Sequence, residues 1–293
     1  TDFGMIQFSK INQPDITSGY TLDDNARAMI AMCQHFEFSH DEEDIKYIRI
    51  YLRFIQHCLQ PNGDFLNYVN EQKDFSEQNN TTNLADSNGR AVWALGYLIS
   101  MHNILPEELI NAADTVIQSA LHNISYIHST RAMAFAIKGL YYYNSKKETP
   151  GNLLLIKELA NRLVQMYRHE MDEKWQWFES YLTYANSILP EALLCAWMAT
   201  GEKTYRDIAG ISFDFLLSKT FNREGIKVIS NDGWLHKNNH VVRIHNGGEQ
   251  PIDVAYTILA LHKFYTVFKE DHYLKKLKLA FNWFLGNNHL HQV

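Results

Sequence analysis

The chain has 293 residues, of which 46% are hydrophobic and 13% aromatic, and a formal net charge of −6 from 27 basic and 33 acidic residues. This size and apolar content suffice for one large core, so we predict a single domain over residues 1–293. The acidic balance and the scattered basic residues argue against binding to nucleic acid or to an anionic membrane, and they favour a neutral or polar small ligand.

The cysteines and the start of the chain indicate where in the cell the protein is located. Cys33, Cys58 and Cys195 each lie in an apolar helical stretch, where a thiol acts as a small hydrophobe. No apolar run reaches the length of a membrane span, and the segment before Tyr20 lacks the regions of a signal peptide. We therefore expect a cytoplasmic protein; a leader removed before Thr1 is the alternative.

One kind of segment recurs in chain order. A short polar or acidic loop runs into a helix of small and apolar residues. The five helices follow Asp23-Asp24-Asn25, Asp86-Ser87-Asn88, Ser129-Thr130-Arg131, Leu182-Thr183-Tyr184 and Glu249-Gln250-Pro251. A repeated unit that cannot bury its apolar face alone must bury it against its neighbours, which predicts one stacked, all-α architecture.

Amphipathic helices with a charged face are predicted between these segments. They cover residues 41–60, 106–123, 152–169, 203–220 and 271–286. Because a helix that is apolar all round is buried and one with a charged face covers the outside, strict alternation predicts an inner ring wrapped by an outer ring, an (α/α)6 toroid. Ten helices are legible and six hairpins need twelve, so we expect the last inner helix to lie beyond Val293.

Few residues show the alternating apolar pattern typical of β-strands, and most of these lie between Gly225 and Ile244. Short alternating pieces, Ile226 to Ile229 and Val241 to Ile244, flank Asn231-Asp232-Gly233. This pattern predicts a small β-hairpin inserted in a loop.

The predicted toroid gathers polar residues that are distant in sequence. Every inner helix of such a ring starts at the same end, and helix starts present unpaired N–H groups and a positive dipole end. One mouth would therefore carry Asp23, Asp24, Asp86, Arg131, Glu179, Glu249 and Asp253.

Four blocks resemble a known group of proteins. The blocks Gly19–Ala28, Asp86–Gly96, Trp175–Tyr184 and Gln250–Asp253 are similar to bacterial six-hairpin, (α/α)6-barrel glycosidase-like proteins, over nearly the whole chain. That group is often fused to, or encoded beside, glycosyltransferases, so the resemblance implies an oligosaccharide ligand and association with a glycosyltransferase. The terminal Asn-Gln-Gly-Ala-Glu-Ser block of the group is absent here. Asn246–Glu249 stands where an Asp-Gln pair is more usual.

Glycoside hydrolysis needs two facing carboxyl groups, one acid and one base. Glu179 is the predicted acid, because nearby aromatic rings (Trp175, Trp177, Tyr181) would desolvate it and raise its pKa. Asp86 or Asp253 is the predicted base and Asp24 the reserve, while helix capping is the alternative for Asp86. A wide ring separates such carboxylates enough to admit a water, which predicts an inverting reaction.

Substrate contacts are predicted from the residues around these carboxylates. Trp177, Tyr184 and Trp234 could stack on sugar faces or fill the core, and loop aromatics favour the platform role for Trp177 and Trp234. The remaining predicted contacts are Arg131, Glu249 and Gln250. Arg27, Arg90 and Arg131 recur at one register, which favours ties between neighbouring helices over substrate contact.

Two further functions compete with hydrolysis. Sugar epimerases of the same barrel shape use paired histidines, and His128 with His245 would be that pair. A non-catalytic carbohydrate-binding or scaffolding domain would have its carboxylates in salt bridges with the arginines. The spacing of His236, His240 and His245 matches no compact metal motif, and no phosphate-binding loop or nucleophile elbow is present, so neither a metal nor a cofactor is expected.

Overall fold

A computed structural model describes residues 1–223, 225–238, 248–288 and 291. These residues form eleven α-helices and six short strands. Contacts between Cα atoms divide the chain into two compact units, Thr1–Leu159 (unit 1) and Ala160–Val293 (unit 2), and the division falls inside one helix. The single domain over 1–293 stays a prediction. None of the described helices has the length and apolarity needed to span a membrane.

Unit 1 contains six complete helices and the beginning of a seventh. The helices are α1 (Leu22–Ser39), α2 (Glu42–Cys58), α3 (Gln78–Thr81), α4 (Ala85–Ser100), α5 (Glu107–Ile124), α6 (Thr130–Lys146) and α7 (Pro150–Glu170). Its strands are β1 (Ser9–Lys10) with β2 (Gln13–Pro14), and β3 (Tyr20–Thr21) with β4 (Tyr68–Val69), both pairs antiparallel.

The helices of small and apolar residues lie inside unit 1, as predicted. In α4 every residue from Gly89 to Ile99 is buried, and in α6 every residue from Thr130 to Leu140. The helix α4 packs against both α1 and α6. The amphipathic α2 instead buries one stripe, which includes Ile48, Leu52 and Ile55, and exposes its charged face. The predicted alternation of two helix types is therefore confirmed within this unit.

Glycines set the spacing of α4 and α6. A Cβ added at Gly96 would lie 2.0 Å from the carbonyl oxygen of Gly139, and one added at Gly89 would lie 2.6 Å from that of Ala132. Both distances are far below van der Waals contact, so the two backbones touch and no side chain fits between them. Because Gly89 faces Ala132 and Gly96 faces Gly139, the two helices run parallel, as the predicted inner helices must.

Unit 2 contains the end of α7 and four further helices in its described residues. These are α8 (Ile188–Thr200), α9 (Lys203–Thr220), α10 (Pro251–Phe268) and α11 (Asp271–Phe284). The helix α8 is buried continuously from Ile188 to Ala196 and packs against α9 and α10, and α10 also packs against α11. The predicted outer helices at 203–220 and 271–286 correspond to α9 and α11.

The predicted hairpin around Asn231–Gly233 is described only over residues 225–238, so its pairing of Ile226–Ile229 with Val241–Ile244 stays a prediction. In the described part, strand β6 (Leu235–His236) pairs with β5 (Tyr181–Leu182), in antiparallel register. The backbone N–H of Lys237 donates to Ser180 O at 2.8 Å, and its ammonium donates to Glu170 O at 2.5 Å. These bonds hold β6 against β5 and the end of α7. Val241 to Ile244 lie outside the described residues.

The three cysteines are all buried and reduced. Burial in apolar surroundings raises the pKa of the Cys33 and Cys58 thiols, which keeps both protonated. They act as core residues, as predicted from their apolar surroundings.

Candidate functional site

The start of α1 holds Asp24 in a capping network. The Thr21 hydroxyl accepts a hydrogen bond from the Asp24 N–H at 3.1 Å and donates one to the Asp24 carboxylate at 2.6 Å. The guanidinium of Arg27 contacts the same carboxylate at 2.5 Å. Asp24, the reserve catalytic residue, is thus already hydrogen-bonded and ion-paired within its own helix turn.

Asp23 joins α1 to α4. Its carboxylate contacts Arg27 at 2.9 Å and also pairs with Arg90, whose side chain is 7% exposed. The Arg90 guanidinium lies over the Phe135 ring, 4.4 Å from the centroid. The prediction that the arginines tie neighbouring inner helices is confirmed for Arg90.

Asp86 joins α4 to the start of α6. It is the second residue of α4, and its carboxylate accepts a hydrogen bond from the Ser129 hydroxyl at 2.8 Å. Just before this helix, the side-chain oxygen of Asn83 accepts from the Ala85 N–H at 2.9 Å. Asp86 therefore lies in the first turn of α4 and is half-buried. A negative charge at this position interacts favourably with the positive end of the helix dipole.

Arg131 is the second residue of α6 and is buried, with its guanidinium 3.3 Å from the Thr130 hydroxyl. Unit 1 therefore brings together, at the starts of three adjacent helices, three residues predicted for the site: Asp24, Asp86 and Arg131.

In unit 2 the loop before α8 is held in an unusual conformation. Ala185 is buried with φ of 47°, in the left-handed region that a residue with a Cβ rarely adopts. Its N–H donates to the Asp253 carboxylate at 2.5 Å, and Asn186 exchanges hydrogen bonds with the Thr183 backbone at 3.0 and 2.7 Å. Asp253, in the first turn of α10, thus fixes the loop that precedes α8.

Tyr184 of this loop lies beside Trp234, which directly precedes β6. Tyr184 and Trp234 have centroids 6.4 Å apart and planes at 44°, and both side chains are partly exposed. The pairing of β5 with β6 brings the two rings together, since Tyr184 follows β5 and Trp234 precedes β6. Two of the predicted substrate-binding aromatics therefore lie side by side. The ammonium of Lys237, 3.0 Å from the Asp172 carboxylate, anchors the chain just after β6.

Glu179 and Trp177 lie in the segment that leads into β5. Glu179 is half-buried, and its backbone oxygen accepts from the Trp175 indole at 2.7 Å, so one predicted aromatic neighbour is in place. Trp177 is fully buried, with its ring against those of Phe178 and Phe215. Its observed position is that of a packing residue, and its role as a sugar platform stays a prediction.

Glu249 and Gln250 stand at the start of α10. The Glu249 carboxylate accepts from the Trp283 indole on α11 at 2.7 Å. Gln250 is the N-cap residue, and Pro251 occupies the first helical position, where its missing N–H costs no hydrogen bond. Both predicted contacts are partly exposed.

The histidines divide between described and undescribed segments. His236 is exposed and packs edge-on against Tyr181, and His128 is exposed just before α6. His240 and His245 lie outside the described residues. Among the described residues no cluster of three His, Cys, Asp or Glu side chains could hold a metal ion.

Sequence reasoning missed the residues that position the site. Asn186, Ala185 and Lys237 fix the loop and strand beside the aromatic pair, and Ser129 links two helix starts. The Asx-type pattern Thr183-x-x-Asn186 is the one local signal that could have indicated a braced turn.

No protein-family model matches the chain, and no curated protein does. Solved structures do match. A D-mannose isomerase has a TM-score of 0.66 at 14% identity, over 96% of this chain and 80% of that one. A cellobiose 2-epimerase from Bacillus thermoamylovorans has a TM-score of 0.69 at 9% identity, over 96% and 79%. An unsaturated glucuronyl hydrolase specific for heparin has a TM-score of 0.57 at 12% identity, over 92% and 67%.

These neighbours have the six-hairpin (α/α)6 glycosidase-like fold, and the chain shares it. The all-α fold class predicted from the alternating helices is therefore confirmed.

Proposed function

We propose that this protein is a carbohydrate-active enzyme that acts on a short oligosaccharide. The observation that carries the proposal is the Tyr184–Trp234 pair, two partly exposed rings that the pairing of β5 with β6 brings together and of which Tyr184 lies on the loop held by Asp253. Flat apolar rings with polar edges stack on the apolar faces of sugars, and a preformed loop avoids the entropy cost of ordering them. The solved structures with this fold are named for sugars as well.

The leading reaction is glycoside hydrolysis. Within unit 2, Glu179 is the proposed acid, which donates its proton to the leaving glycosidic oxygen. Asp253 of the same unit is the proposed base, which takes a proton from the water that attacks the anomeric carbon with inversion. Asp86 and Asp24 of unit 1 are the alternatives, and the Asp24 carboxylate is paired with Arg27. Glu249 and Gln250 are the proposed sugar contacts in unit 2, and Arg131 is the one in unit 1.

Epimerisation or isomerisation of a reducing sugar is the second candidate. An isomerase and an epimerase are among the solved structures that share the fold, as is a hydrolase, so the comparison supports this candidate as much as the first. His128 would be one acid–base residue of this reaction. Its proposed partner, His245, lies outside the described residues.

A binding or scaffolding domain that serves a glycosyltransferase is the third candidate. The ion pairs of Asp23 and Asp24 with Arg27 and Arg90 favour it, since they are the salt bridges that this function predicts.

One experiment separates the three. The full chain is incubated with a panel of manno- and gluco-oligosaccharides in heavy-oxygen water and in deuterium oxide, and products are analysed by mass spectrometry and NMR. Hydrolysis places heavy oxygen in a shortened sugar, whereas epimerisation places carbon-bound deuterium in an isomer of unchanged length. Binding without either product identifies the scaffold.

Two variants test the residues. Tyr184→Ala with Trp234→Ala should weaken sugar binding about tenfold, the loss of about 1.4 kcal/mol of stacking. Phe281→Ala, which removes an exposed ring of α11, is the matched control and should change nothing. Glu179→Gln should abolish sugar release and retain binding. Full activity in Glu179→Gln would overturn the hydrolytic assignment.

A further inference from the structure

A cavity of about 860 Å³ lies in unit 1. It is lined by the loop 60–66, the start of α4, the end of α5 and the residues 126–129 that lead into α6. Among the described residues that line it, none is proposed for hydrolysis, whereas His128, the histidine named for epimerisation, is one of them. Ser129, whose hydroxyl donates to the Asp86 carboxylate, also lines it. The volume falls within the range of about 300–1,000 Å³ typical of small-molecule sites.

The walls of this cavity are fixed by side-chain hydrogen bonds. Asn88 of α4 accepts from the Phe65 N–H and donates to the Phe65 oxygen, both at 2.9 Å, so one amide clamps the loop to the helix. Asn123 of α5 donates to the Asn62 oxygen at 2.9 Å and to the Asp64 carboxylate at 2.7 Å. Gly63 has φ of 86°, and a Cβ there would lie 2.4 Å from the Ser119 oxygen, so the loop rests directly on α5. A site held this firmly is preformed.

The lining combines an apolar floor with hydrogen-bonding groups. Phe65, Val92 and Ile124 contribute apolar surface, and Asn83 and Asp64 contribute amide and carboxylate groups. Among the described lining residues there is no lysine or arginine, and His128 is the one histidine. The Asp64 carboxylate would repel a phosphate or a carboxylate, which disfavours anionic ligands. Apolar rings beside amides and one carboxylate instead suit a ligand with an apolar face and hydroxyl edges.

We propose that this cavity is a second binding site, specific for a neutral saccharide and distinct from the residues proposed for hydrolysis. It rests on the hydrolytic proposal, because His128 of the epimerase proposal lines the cavity. Two exposed rim residues offer contacts. Tyr126 is 74% exposed, and its ring can cover a sugar face. The Asn83 oxygen accepts from the Ala85 N–H, and its amide nitrogen makes no hydrogen bond within the described residues, which leaves a donor for a hydroxyl. The ligand class follows from the lining, and a site of this kind goes beyond the proposed hydrolysis.

The test compares two double variants of the full chain by isothermal titration with cellobiose and mannobiose. Asn83→Ala with Tyr126→Ala should weaken binding of the neutral disaccharide about tenfold, while Asn103→Ala with Tyr47→Ala, a matched exposed pair elsewhere in unit 1, should leave it unchanged. Glucose 6-phosphate and glucuronate are the anionic probes and should bind more weakly than either neutral sugar. Unchanged binding in the cavity variant, or tighter binding of an anionic probe, would overturn the proposal.

A second readout separates this site from the proposed reacting centre. The methyl NMR signals of Val92 and Ile124 should shift on addition of cellobiose, in the parent protein and equally in Tyr184→Ala with Trp234→Ala. Shifts that vanish in that variant would place the sugar elsewhere and defeat the cavity site. If Glu179→Gln loses activity but keeps the methyl shifts, the loss concerns the proposed reaction, and the retained shifts support the cavity site.

Discussion

Aspartates in the first turn of a helix make similar contacts in the two units, but the segments that they hold differ. In unit 1, Asp23 of α1 pairs with Arg90 of α4, and Asp86 of α4 accepts from Ser129 before α6. In unit 2, Asp253 of α10 accepts from the Ala185 amide before α8. Each aspartate binds the start of a neighbouring inner helix. The recurring acidic loop is thus an architectural joint, and in unit 2 the joint holds the loop that carries Tyr184.

The largest expected effect concerns the contact between α4 and α6. Gly96→Ala should lower the free energy of unfolding by about 3 kcal/mol, because the new methyl group would overlap the Gly139 carbonyl of the facing backbone. Urea denaturation followed by circular dichroism measures this.

The control for that change is a glycine of unit 2. Gly210 in α9 has open space where a Cβ would lie, so Gly210→Ala should stabilise by up to about 1 kcal/mol through helix propensity. Equal effects of the two substitutions would show that α4 and α6 are not in backbone contact.

The ion-pair joint of unit 1 should give the next largest effect. Asp23→Asn removes the charge that faces Arg27 and the buried Arg90, and we expect a loss of about 2 kcal/mol, reduced from the fully buried case because Asp23 keeps some exposure. Thermal unfolding with urea titration measures it. Glu43→Gln, which breaks an exposed pair with Lys46, should cost under about 0.5 kcal/mol. If Asp23→Asn lowers the free energy of unfolding no more than Glu43→Gln does, the ion pairs of Asp23 are no stronger than an exposed surface pair.

The joint of unit 2 distinguishes bracing from catalysis. Asp253→Asn keeps an oxygen that can accept from the Ala185 amide, so sugar binding should persist, whereas Asp253→Ala should lose about 1 kcal/mol of stability and weaken binding. Titration calorimetry and denaturation of both variants give the comparison. If the asparagine variant binds normally yet loses all turnover, Asp253 is a catalytic residue and the bracing assignment is incomplete.

The smallest effect concerns the anchor of β6. Hydrogen bonds from the Lys174 N–H and the Lys237 ammonium lower the pKa of Asp172 below its usual value, and the same pair raises the pKa of Lys237. Because the folded pKa of Asp172 lies below the unfolded one, its stabilisation is complete above the unfolded value and is lost as pH falls through the folded value.

Melting temperatures across acidic and neutral pH test this. Asp172→Asn should melt below the parent protein at neutral pH, and the two curves should merge in acid. Glu173→Gln, an exposed neighbour, serves as the control and should follow the parent throughout. A gap that persists in acid would mean that the carboxylate charge is not what anchors the strand.

The helices could be predicted from local pattern because their cause is local. The amphipathic stripe of 203–220 gave the bounds of α9, and α4 and α6 were identified as buried from their small and apolar residues. The fold class followed from the alternation of the two types.

The parts that escaped prediction depend on contacts between distant residues. The left-handed Ala185 is held by Asp253, and β6 pairs with β5 across more than fifty positions, which no short window records. The cavity walls rest on Asn88 reaching Phe65. Tyr184 and Trp234 were predicted separately as possible sugar contacts, with the platform role favoured for Trp234, and the fold supplied their proximity.

The three buried cysteines can report the local opening of the fold around them. Cys33 and Cys58 belong to unit 1 and Cys195 to unit 2, and a thiol reagent can reach each one only while its surroundings are open. Alkylation followed by peptide mass mapping therefore times the opening of each unit within one unmodified chain. A common rate at all three sites would mark a single cooperative body, and separate rates would reveal two.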